Sequence, residues 1–359
     1  MFVKWKFKWK MKYLVHYLLL NKRTVVFCAV SFVLGYFYYG FVNEGFDLGD
    51  RHIYLGKAKK YMNGIGFRDP FLVILIFSGI NNYSRREVIR STWLSDVKTT
   101  EVVHFFAISA GSTTIDEKLR LEEEQKQNND LLVFTELDDS FKLLTSKLIA
   151  SFGWLTEMSV LGNKGKSSTE KHFHGFKFLL KCDDDTFVRV NELVTELKTA
   201  YSGKNGDNLY LGFFDGRSRP KRTGKYKEAT WNICDYYIPY ALGGGYVLAK
   251  PLIEYIARNG NYLTRFSSED TSVGAWLSTY SQVNRVHDPR FDTEYISRGC
   301  HQSYLVTHKH SKFEMKKFHK NIKNTGKLCE KEYRTRLSYM YNWDVLPSMC
   351  CTRNNSEIP

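Results

Sequence analysis

Short apolar runs alternate with charged, helix-like segments along most of this chain. Four runs have the length and composition of strands: Phe71–Ser78, Val102–Ile108, Leu131–Thr135 and Leu209–Phe213. Between and after them the sequence predicts helices over Asp116–Asn128, Phe141–Glu157 and Asn191–Tyr201, and a polar loop over Asn163–Lys171. Strands that alternate with helices predict an α/β fold with a mainly parallel central sheet.

One further strand organises this pattern. Residues Phe176–Val188 read F-K-F-L-L-K-C-D-D-D-T-F-V, and their first half is apolar, as in a strand buried on both faces. The run ends in Asp183, Asp184 and Asp185, whose mutual repulsion calls for a counter-charge. Carboxylate oxygens suit Mn²⁺ or Mg²⁺, and strand alternation would put Asp183 and Asp185 on one side. A solvated acidic turn is the alternative.

Arginines follow the first predicted strand. Residues 84–87 (S-R-R-E) match a capping box, which predicts a helix over Arg85–Trp93. Arg86 and Arg90 are four residues apart and share a helix face. Because a helix N-terminus with arginines is suited to bind phosphate, Arg85, Arg86 and Arg90 are candidate contacts of a nucleotide diphosphate. Arginines paired with acids on the surface are the alternative.

Two later segments carry further candidate chemistry. Tyr240–Lys250 contains three consecutive glycines and is expected to form either a tight structural turn or a loop against a sugar, with Gly244 as a contact. Ser268 precedes Glu269 and Asp270 at the start of a predicted helix, which is a sufficient structural reason for two acids. The functional alternative is that one of them is the general base for a sugar hydroxyl.

A histidine ends the last predicted strand, Tyr304–His308. A lone histidine is more often structural, but the imidazole of His308 suits Mn²⁺ better than it suits Mg²⁺ and could complete a metal site. His310 is a nearby competitor for that role. Residues 311–345 are basic and helical in period, and we expect them to close over the domain.

Charge and hydropathy divide the N-terminal part from the rest. The net charge is +14, and residues 1–23 supply +7 of it, with seven Lys or Arg and no acid. Residues 24–42 contain no charge for nineteen positions, long enough for a bilayer-spanning helix. The basic flank before this span places the N-terminus in the cytosol, while a cleaved signal peptide is the alternative. The expected organisation is a tail over 1–23, a signal anchor over 24–42, a lumenal stem over 43–68 and a catalytic domain over 69–359.

Several classes of protein and site are disfavoured by the sequence. The remaining charge of +7 extends over 336 residues without a basic-aromatic array, so nucleic-acid binding is not expected. The sequence lacks C-x-x-C, G-x-S-x-G and H-E-x-x-H, which disfavours a structural zinc site and a hydrolase.

Six of the seven cysteines follow the predicted span, which fits an oxidising compartment. Their pairing is left open by the sequence, except that Cys350 and Cys351 are expected to bond outward rather than to each other, and Cys182 to stay free. Asn82 and Asn354 begin glycosylation sequons, and Asn354 is the better candidate because Asn82 adjoins a predicted active-site turn.

Four segments within about residues 70–310 together resemble a β-1,3-glycosyltransferase family, which includes β-1,3-galactosyltransferases, β-1,3-N-acetylglucosaminyltransferases and the fringe enzymes. They are R-R-E-V-I-R-S-T-W, F-L-L-K-C-D-D-D-T-F-V, A-L-G-G-G-Y-V-L-A-K and S-E-D-T-S-V-G-A-W-L. The resemblance implies a fold of the GT-A type, a nucleotide-sugar donor bound with a divalent cation, and a single inverting displacement.

The same resemblance implies roles for individual residues. Asp185 would ligate the metal directly, with Asp183 or Asp184 near the metal and the ribose, and His308 would complete the site. The base would lie in the pair Glu269 and Asp270, and we favour Asp270. Glu269 departs from the two aspartates common in the family, so the choice between the two acids stays open.

The C-terminal portion narrows the resemblance. The segments H-D-P-R-F-D-T-E-Y-I-S-R-G-C, Y-L-V-T-H-K and R-L-S-Y-M-Y-N-W resemble the members that build the glycosaminoglycan linkage region. This implies transfer of galactose from UDP-galactose to the 3-hydroxyl of galactose in Gal-β1,4-Xyl on a proteoglycan core-protein serine. It also implies a type II membrane protein of the Golgi that associates with other linkage-region glycosyltransferases.

Two alternatives stay open at this point. One is another β-1,3-transferase, with a different galactose acceptor or with UDP-N-acetylglucosamine as donor. The other is a non-catalytic Golgi chaperone or glycan-binding protein on the same fold, since fold does not fix function.

Overall fold

The computed structural model describes residues 69–97, 100–164, 175–224, 226–353 and 358–359. The predicted cytosolic tail, signal anchor and stem lie outside these residues, as does the sequon at Asn354. Among the described residues, the structure contains no helix with the length and apolar character needed to cross a membrane.

The first half of the described chain alternates strands and helices as predicted. Its elements are β1 (Leu72–Phe77), α1 (Tyr83–Ser91), β2 (Val102–Ser109), α2 (Ile115–Asn128), β3 (Leu131–Phe134), α3 (Leu144–Lys164) and β4 (Phe178–Asp183). The second half adds β5 (Phe187–Val188), α4 (Val190–Ala200), β6 (Leu209–Asp215), β7 (Tyr240–Ala249), α5 (Lys250–Asn259), α6 (Glu269–Leu277), β8 (Asn284–His287), β9 (Phe291–Asp292), β10 (Gly299–Cys300), β11 (Val306–Thr307), α7 (Lys312–Thr325) and β12 (Tyr333–Arg334).

Seven strands form the central sheet, in the order β3-β2-β1-β4-β7-β6-β8. Adjacent strands in the run β3-β2-β1-β4 are parallel to each other. Strand β7 is antiparallel to both of its neighbours, and β8 is parallel to β6. All six residues of β1 are buried, which accounts for its continuous apolar sequence. The predicted α/β fold with a mainly parallel sheet is therefore confirmed.

The strand register brings the candidate residues to one edge of the sheet. Phe77 at the end of β1 pairs with Asp183 at the end of β4, and Cys182 pairs with Gly245 of β7. Ligands of open α/β sheets bind beyond the carboxyl ends of the parallel strands. The acidic triplet and the glycines of β7 therefore share that position.

Helix α1 differs from its prediction at its start. It begins at Tyr83, one residue before the serine that was expected to cap it. The observed N-cap residue, Asn82, makes no side-chain capping hydrogen bond. The two residues of the expected capping box have other partners: Ser84 accepts a hydrogen bond from Lys312, and Glu87 pairs with Arg90. A tertiary contact from Lys312 and an ion pair within the helix have replaced the expected cap.

The structure also corrects the predictions for two longer segments. Tyr240–Lys250 is neither a turn nor a loop, since Tyr240–Ala249 is a full strand between β4 and β6. The helix predicted in residues 311–345 ends at Thr325, where Gly326 has a φ of 70°. A left-handed glycine stops a helix at this position.

The cysteines also correct one prediction. Cys350 and Cys351 bond to each other rather than outward, and both are buried. A possible outward partner is already used, since Cys300 bonds to Cys329. Cys182 is free and buried within β4, as expected for a thiol in the central strand.

Candidate active site

A histidine from a distant strand completes the acidic cluster at the end of β4. The strand ends at Asp183, and β5 follows after a short turn and pairs with β11. That pairing returns His308, the residue after β11, to the acidic triplet. Potential ligand atoms of Asp183, Asp185 and His308 lie within 4.8 Å of one another. Nδ1 of His308 is 3.1 Å from Asp185, and Nε2 is 3.9 Å from Asp183.

The contacts of His308 decide which of its nitrogens can accept. Thr186 donates its hydroxyl hydrogen to the carbonyl of Gly244 at 2.7 Å, so its 3.0 Å contact with Nδ1 of His308 requires a proton on Nδ1. The lone pair then lies on Nε2, which faces Asp183. Burial lowers the pKa of His308 against the opposing effect of Asp183 and Asp185, which favours the neutral, metal-binding imidazole.

The donor set of this cluster fits a divalent cation. Two carboxylates and a neutral imidazole are ligands that Mn²⁺ accepts, and Mg²⁺ prefers oxygen. The backbone also makes room for the imidazole: a Cβ at Gly244 would lie 2.6 Å from Cγ of His308. Gly244 thus contributes to the site by letting His308 approach β7.

Asp184 points away from this cluster. Its Oδ2 accepts hydrogen bonds from Ser78 at 2.7 Å and from Asn82 at 2.8 Å, and Arg85 lies 4.0 Å from its other oxygen. Burial raises the pKa of Asp184 above its usual value. Asp184 therefore joins β4 to the segment between β1 and α1, while its two neighbours face His308.

The candidate base pair lies on the other side of a buried lysine. The ammonium group of Lys181 donates to Asp183 at 2.8 Å, to the carbonyl of Gly243 at 2.9 Å and to Glu269 at 2.6 Å. These contacts use all three of its hydrogens. Burial opposes the charge of Lys181, but Asp183 and Glu269 together raise its pKa above the usual value. Glu269 is therefore held by a fixed cation.

Asp270 has a different environment from Glu269. Its carboxylate accepts hydrogen bonds from the backbone amides of Gly243 at 2.9 Å and Thr271 at 2.8 Å. Burial and the negative charge of Glu269 raise the pKa of Asp270 to about 7. A carboxylate with this pKa can accept a proton near neutral pH, which makes Asp270 a better candidate base than Glu269.

A side chain at Gly243 would obstruct this pair. Its Cβ would lie 2.9 Å from Oε1 of Glu269 and 3.0 Å from Oδ2 of Asp270. The consecutive glycines of β7 thus let the acidic pair and His308 approach one strand from two sides. Close approach of other groups, rather than a turn, explains this motif.

Two of the three arginines of α1 pair with acids, which is the alternative that the sequence left open. Arg86 is buried and binds Glu124 with two hydrogen bonds of 2.8 and 2.7 Å. Arg90 pairs with Glu124 and Asp130. These ion pairs correct the expectation that Arg86 and Arg90 face a diphosphate. Arg85 stays a candidate, because it lies beside Asp184 and donates to the carbonyl of His310 at 3.2 Å.

Lys181 and Thr186 have roles that the sequence analysis did not assign. A signal was present for Lys181, since a lysine inside an apolar strand, on the same face as Asp183, requires a buried anionic partner. No local pattern identified Thr186, whose partners are distant in sequence. His310 does not join the cluster; its Nε2 contacts Thr307 at 2.8 Å.

Comparison with known proteins identifies the family of this chain. The family model described as galactosyltransferase matches residues 84–289. Beta-1,3-galactosyltransferase 6 of Mus musculus is 42% identical over 286 residues, which cover 79% of this chain and 83% of the mouse protein. Hydroxyproline O-galactosyltransferase GALT5 of Arabidopsis thaliana is 29% identical over 253 residues, which cover 68% of this chain and 34% of the plant protein.

Among solved structures, the manganese complex of mannosyltransferase PcManGT from Pyrobaculum calidifontis has a TM-score of 0.35 and 10% identity, covering 67% of this chain and 62% of that one. A TM-score this low does not define the fold of this chain, and the fold assignment rests on the order of the strands in the sheet. The family model spans more than half of this chain and includes both the acidic triplet and the base pair. The chain therefore belongs to the galactosyltransferase family.

Proposed function

We propose that this chain transfers galactose from UDP-galactose to the 3-hydroxyl of galactose in Gal-β1,4-Xyl, attached to a serine of a proteoglycan core protein. The observation that carries the proposal is that Lys181 joins Asp183, of the cluster with Asp185 and His308, to Glu269, the residue before Asp270, in a member of the galactosyltransferase family. The 42% identity to the mouse β-1,3-galactosyltransferase supports the linkage formed. The C-terminal motifs support the linkage-region acceptor.

Asp183, Asp185 and His308 would hold Mn²⁺, or Mg²⁺ as the alternative ion. A divalent cation in that position offsets the negative charge of the departing UDP. Arg85 is the arginine of α1 that adjoins the acidic triplet, and we assign it to the phosphates of the donor. Asp184 lies between Ser78 and Asn82, at the end of β1, and we assign it to the nucleotide.

Asp270 acts as the general base in the proposed reaction. Its carboxylate takes the proton of the acceptor 3-hydroxyl while that oxygen attacks the anomeric carbon of galactose on the face opposite UDP. One bond forms as the other breaks, so the configuration at the anomeric carbon is inverted. A positioned base contributes ~10²–10⁴-fold to the rate. The amides of Gly243 and Thr271 hold the carboxylate in place.

The cellular setting is part of the proposal. The sequence supports a tail over 1–23, a membrane anchor over 24–42, a stem over 43–68 and a lumenal catalytic domain over 69–359. We assign the chain to the Golgi membrane as a type II protein, where it meets the galactosylated, xylosylated core protein and associates with other linkage-region glycosyltransferases.

An acceptor panel tests this function. The purified chain, with UDP-galactose and Mn²⁺, is offered a Gal-β1,4-Xyl glycoside and, separately, a β-N-acetylglucosamine glycoside, each with and without EDTA. We expect galactose transfer to the Gal-Xyl glycoside alone, abolished by EDTA. Transfer only to the second acceptor would contradict the proposed substrate but keep the metal and base assignments. Transfer to neither, by a folded protein that binds UDP, would contradict the proposed donor and activity.

A further inference from the structure

The segment between β6 and β7 exposes several cations. In this basic loop, residues 217–227, the exposed cations that the structure describes are Arg219, Lys221, Arg222 and Lys227. Among the described residues, none of these four side chains lies within ion-pairing distance of a carboxylate. The groups in direct contact with the first three are neutral, although the charge of Asp235 also acts on Arg219. Some surface cations elsewhere have acidic partners, as Arg258 has in Glu254.

The basic loop is fixed to the segment that carries the base. Glu228, directly after the loop, is fully buried and accepts hydrogen bonds from the backbone amides of Thr230 at 2.9 Å and Ser267 at 2.7 Å. The hydroxyl of Ser267 donates to the carbonyl of Lys227 at 2.9 Å. Ser267 lies three residues before Asp270, so the loop adjoins the segment that leads to the candidate base.

Three cations of the basic loop contact different groups. Arg219 stacks on the ring of Tyr236 at 4.6 Å, and Lys221 lies 5.4 Å from the ring centre of Tyr226. Arg222 contacts a third group, the carbonyl of Glu228, at 3.5 Å. A single phosphate would require converging donors. Separate cations along a loop match a row of carboxylates, as in an acidic peptide.

We propose that the basic loop binds an acidic polypeptide segment next to the glycosylated serine of the acceptor. This inference rests on the proposed function, because it places a protein-linked acceptor at Asp270. Charges at the rim of an interface act mainly on the association rate and on its salt dependence. The loop would therefore raise kcat/KM for acidic glycopeptides without changing the chemical step.

A matched pair of charge reversals tests this inference in the full-length chain. Lys221→Glu/Lys227→Glu reverses two exposed lysines of the loop. Lys316→Glu/Lys320→Glu makes the same change in net charge on the exposed surface of α7. Each protein is assayed at low salt with three acceptors: a Gal-Xyl glycoside, a Gal-Xyl peptide flanked by glutamates, and the same peptide flanked by glutamines.

We expect the loop variant to lose about tenfold in kcat/KM for the glutamate peptide only, and the loss to shrink at about 0.5 M salt, where charges are screened within a few Å. The α7 variant should retain the wild-type value with all three acceptors. An equal loss on every acceptor, or the same loss in both variants, would overturn the inference. So would an unchanged loop variant.

The failure of the proposed function has a different signature. In that case the wild-type chain would transfer nothing to the plain Gal-Xyl glycoside. Binding of the fluorescently labelled glutamate and glutamine peptides would still report on the loop. Selective binding of the glutamate peptide, weakened in the loop variant, would keep the surface assignment, and equal binding of both peptides would reject it.

Discussion

The ammonium nitrogen of Lys181 lies 2.6 Å from Oε1 of Glu269 and 2.8 Å from Oδ1 of Asp183. One buried cation thus joins the candidate metal site to the candidate base pair, although the lysine and the glutamate are 88 positions apart in sequence. It also gives the two adjacent acids different partners. Glu269 is engaged by this cation, and Asp270 is bound by the backbone amides of Gly243 and Thr271.

Removing the charge of Lys181 should destabilise the folded protein. Lys181→Met leaves two carboxylates without their shared buried cation, and we expect the free energy of unfolding to fall by about 3–5 kcal/mol. Urea denaturation measures this loss. The double variant Lys181→Met/Glu269→Gln removes one of the stranded charges and should recover part of it. A single variant as stable as the wild type would contradict the bridging role.

The pH dependence of transfer should report the ionisation of Asp270. Because its pKa is raised to about 7, the carboxylate is protonated at pH 6 and cannot act as a base, so kcat/KM should fall as the pH drops below about 7. Glu269→Gln removes a neighbouring negative charge, which should lower the pKa of Asp270 and move this acid limb to lower pH. If kcat/KM of the Glu269→Gln variant fell at the same pH as in the wild type, the coupling of the two acids would be contradicted.

Loss of the base and loss of a metal ligand should be separable. Asp270→Asn should reduce transfer by ~10²–10⁴-fold but keep metal-dependent binding of UDP. Asp185→Ala should abolish most transfer and also weaken that binding. Calorimetric titration of UDP with and without Mn²⁺ distinguishes the two, with the exposed Asp207→Asn as control. Near-normal transfer by a purified Asp270→Asn protein would reject the base assignment.

A methyl group at Gly244 should displace His308. The new Cβ would lie 2.6–2.9 Å from three atoms of that side chain, closer than real contacts allow. We expect Gly244→Ala to weaken Mn²⁺-dependent UDP binding at least tenfold if His308 moves off the cluster by an ångström or more. Gly153→Ala is the control: its Cβ meets nothing within 4 Å in helix α3, and alanine should stabilise that helix by up to about 1 kcal/mol.

The sequon at Asn82 should stay unmodified. Its side-chain nitrogen, the atom that would carry a glycan, donates to Asp184 at 2.8 Å. A glycan there would break this contact beside the donor site. Mass spectrometry of glycopeptides from the secreted or membrane-bound protein should find Asn82 free of glycan. Substantial occupancy at Asn82 together with full transfer activity would show that the contact with Asp184 is dispensable.

Local patterns in the sequence were sufficient for the fold class and for most strands and helices of the first half of the sheet. The apolar runs that predicted β1 and β4 are buried strands at the centre of the sheet, because a continuous apolar sequence of that length needs cover on both faces. The acidic triplet marked the correct strand end. The resemblance, carried by four motifs, indicated the family that the comparisons then showed.

Contacts between distant segments were decided only by the tertiary structure. The sequence could not tell whether Arg86 and Arg90 face a phosphate or an acid, because Glu124 and Asp130 reach them only when α2 packs beside α1. In the same way, a triple glycine reads as a turn until the strand pairing of β7 brings other side chains against it. The sequence by itself determined the fold class, most of the strands and helices, and which residues carry charge. The tertiary structure decided which charge neutralises which, since buried ion pairs depend on contacts across the sheet that no local pattern encodes.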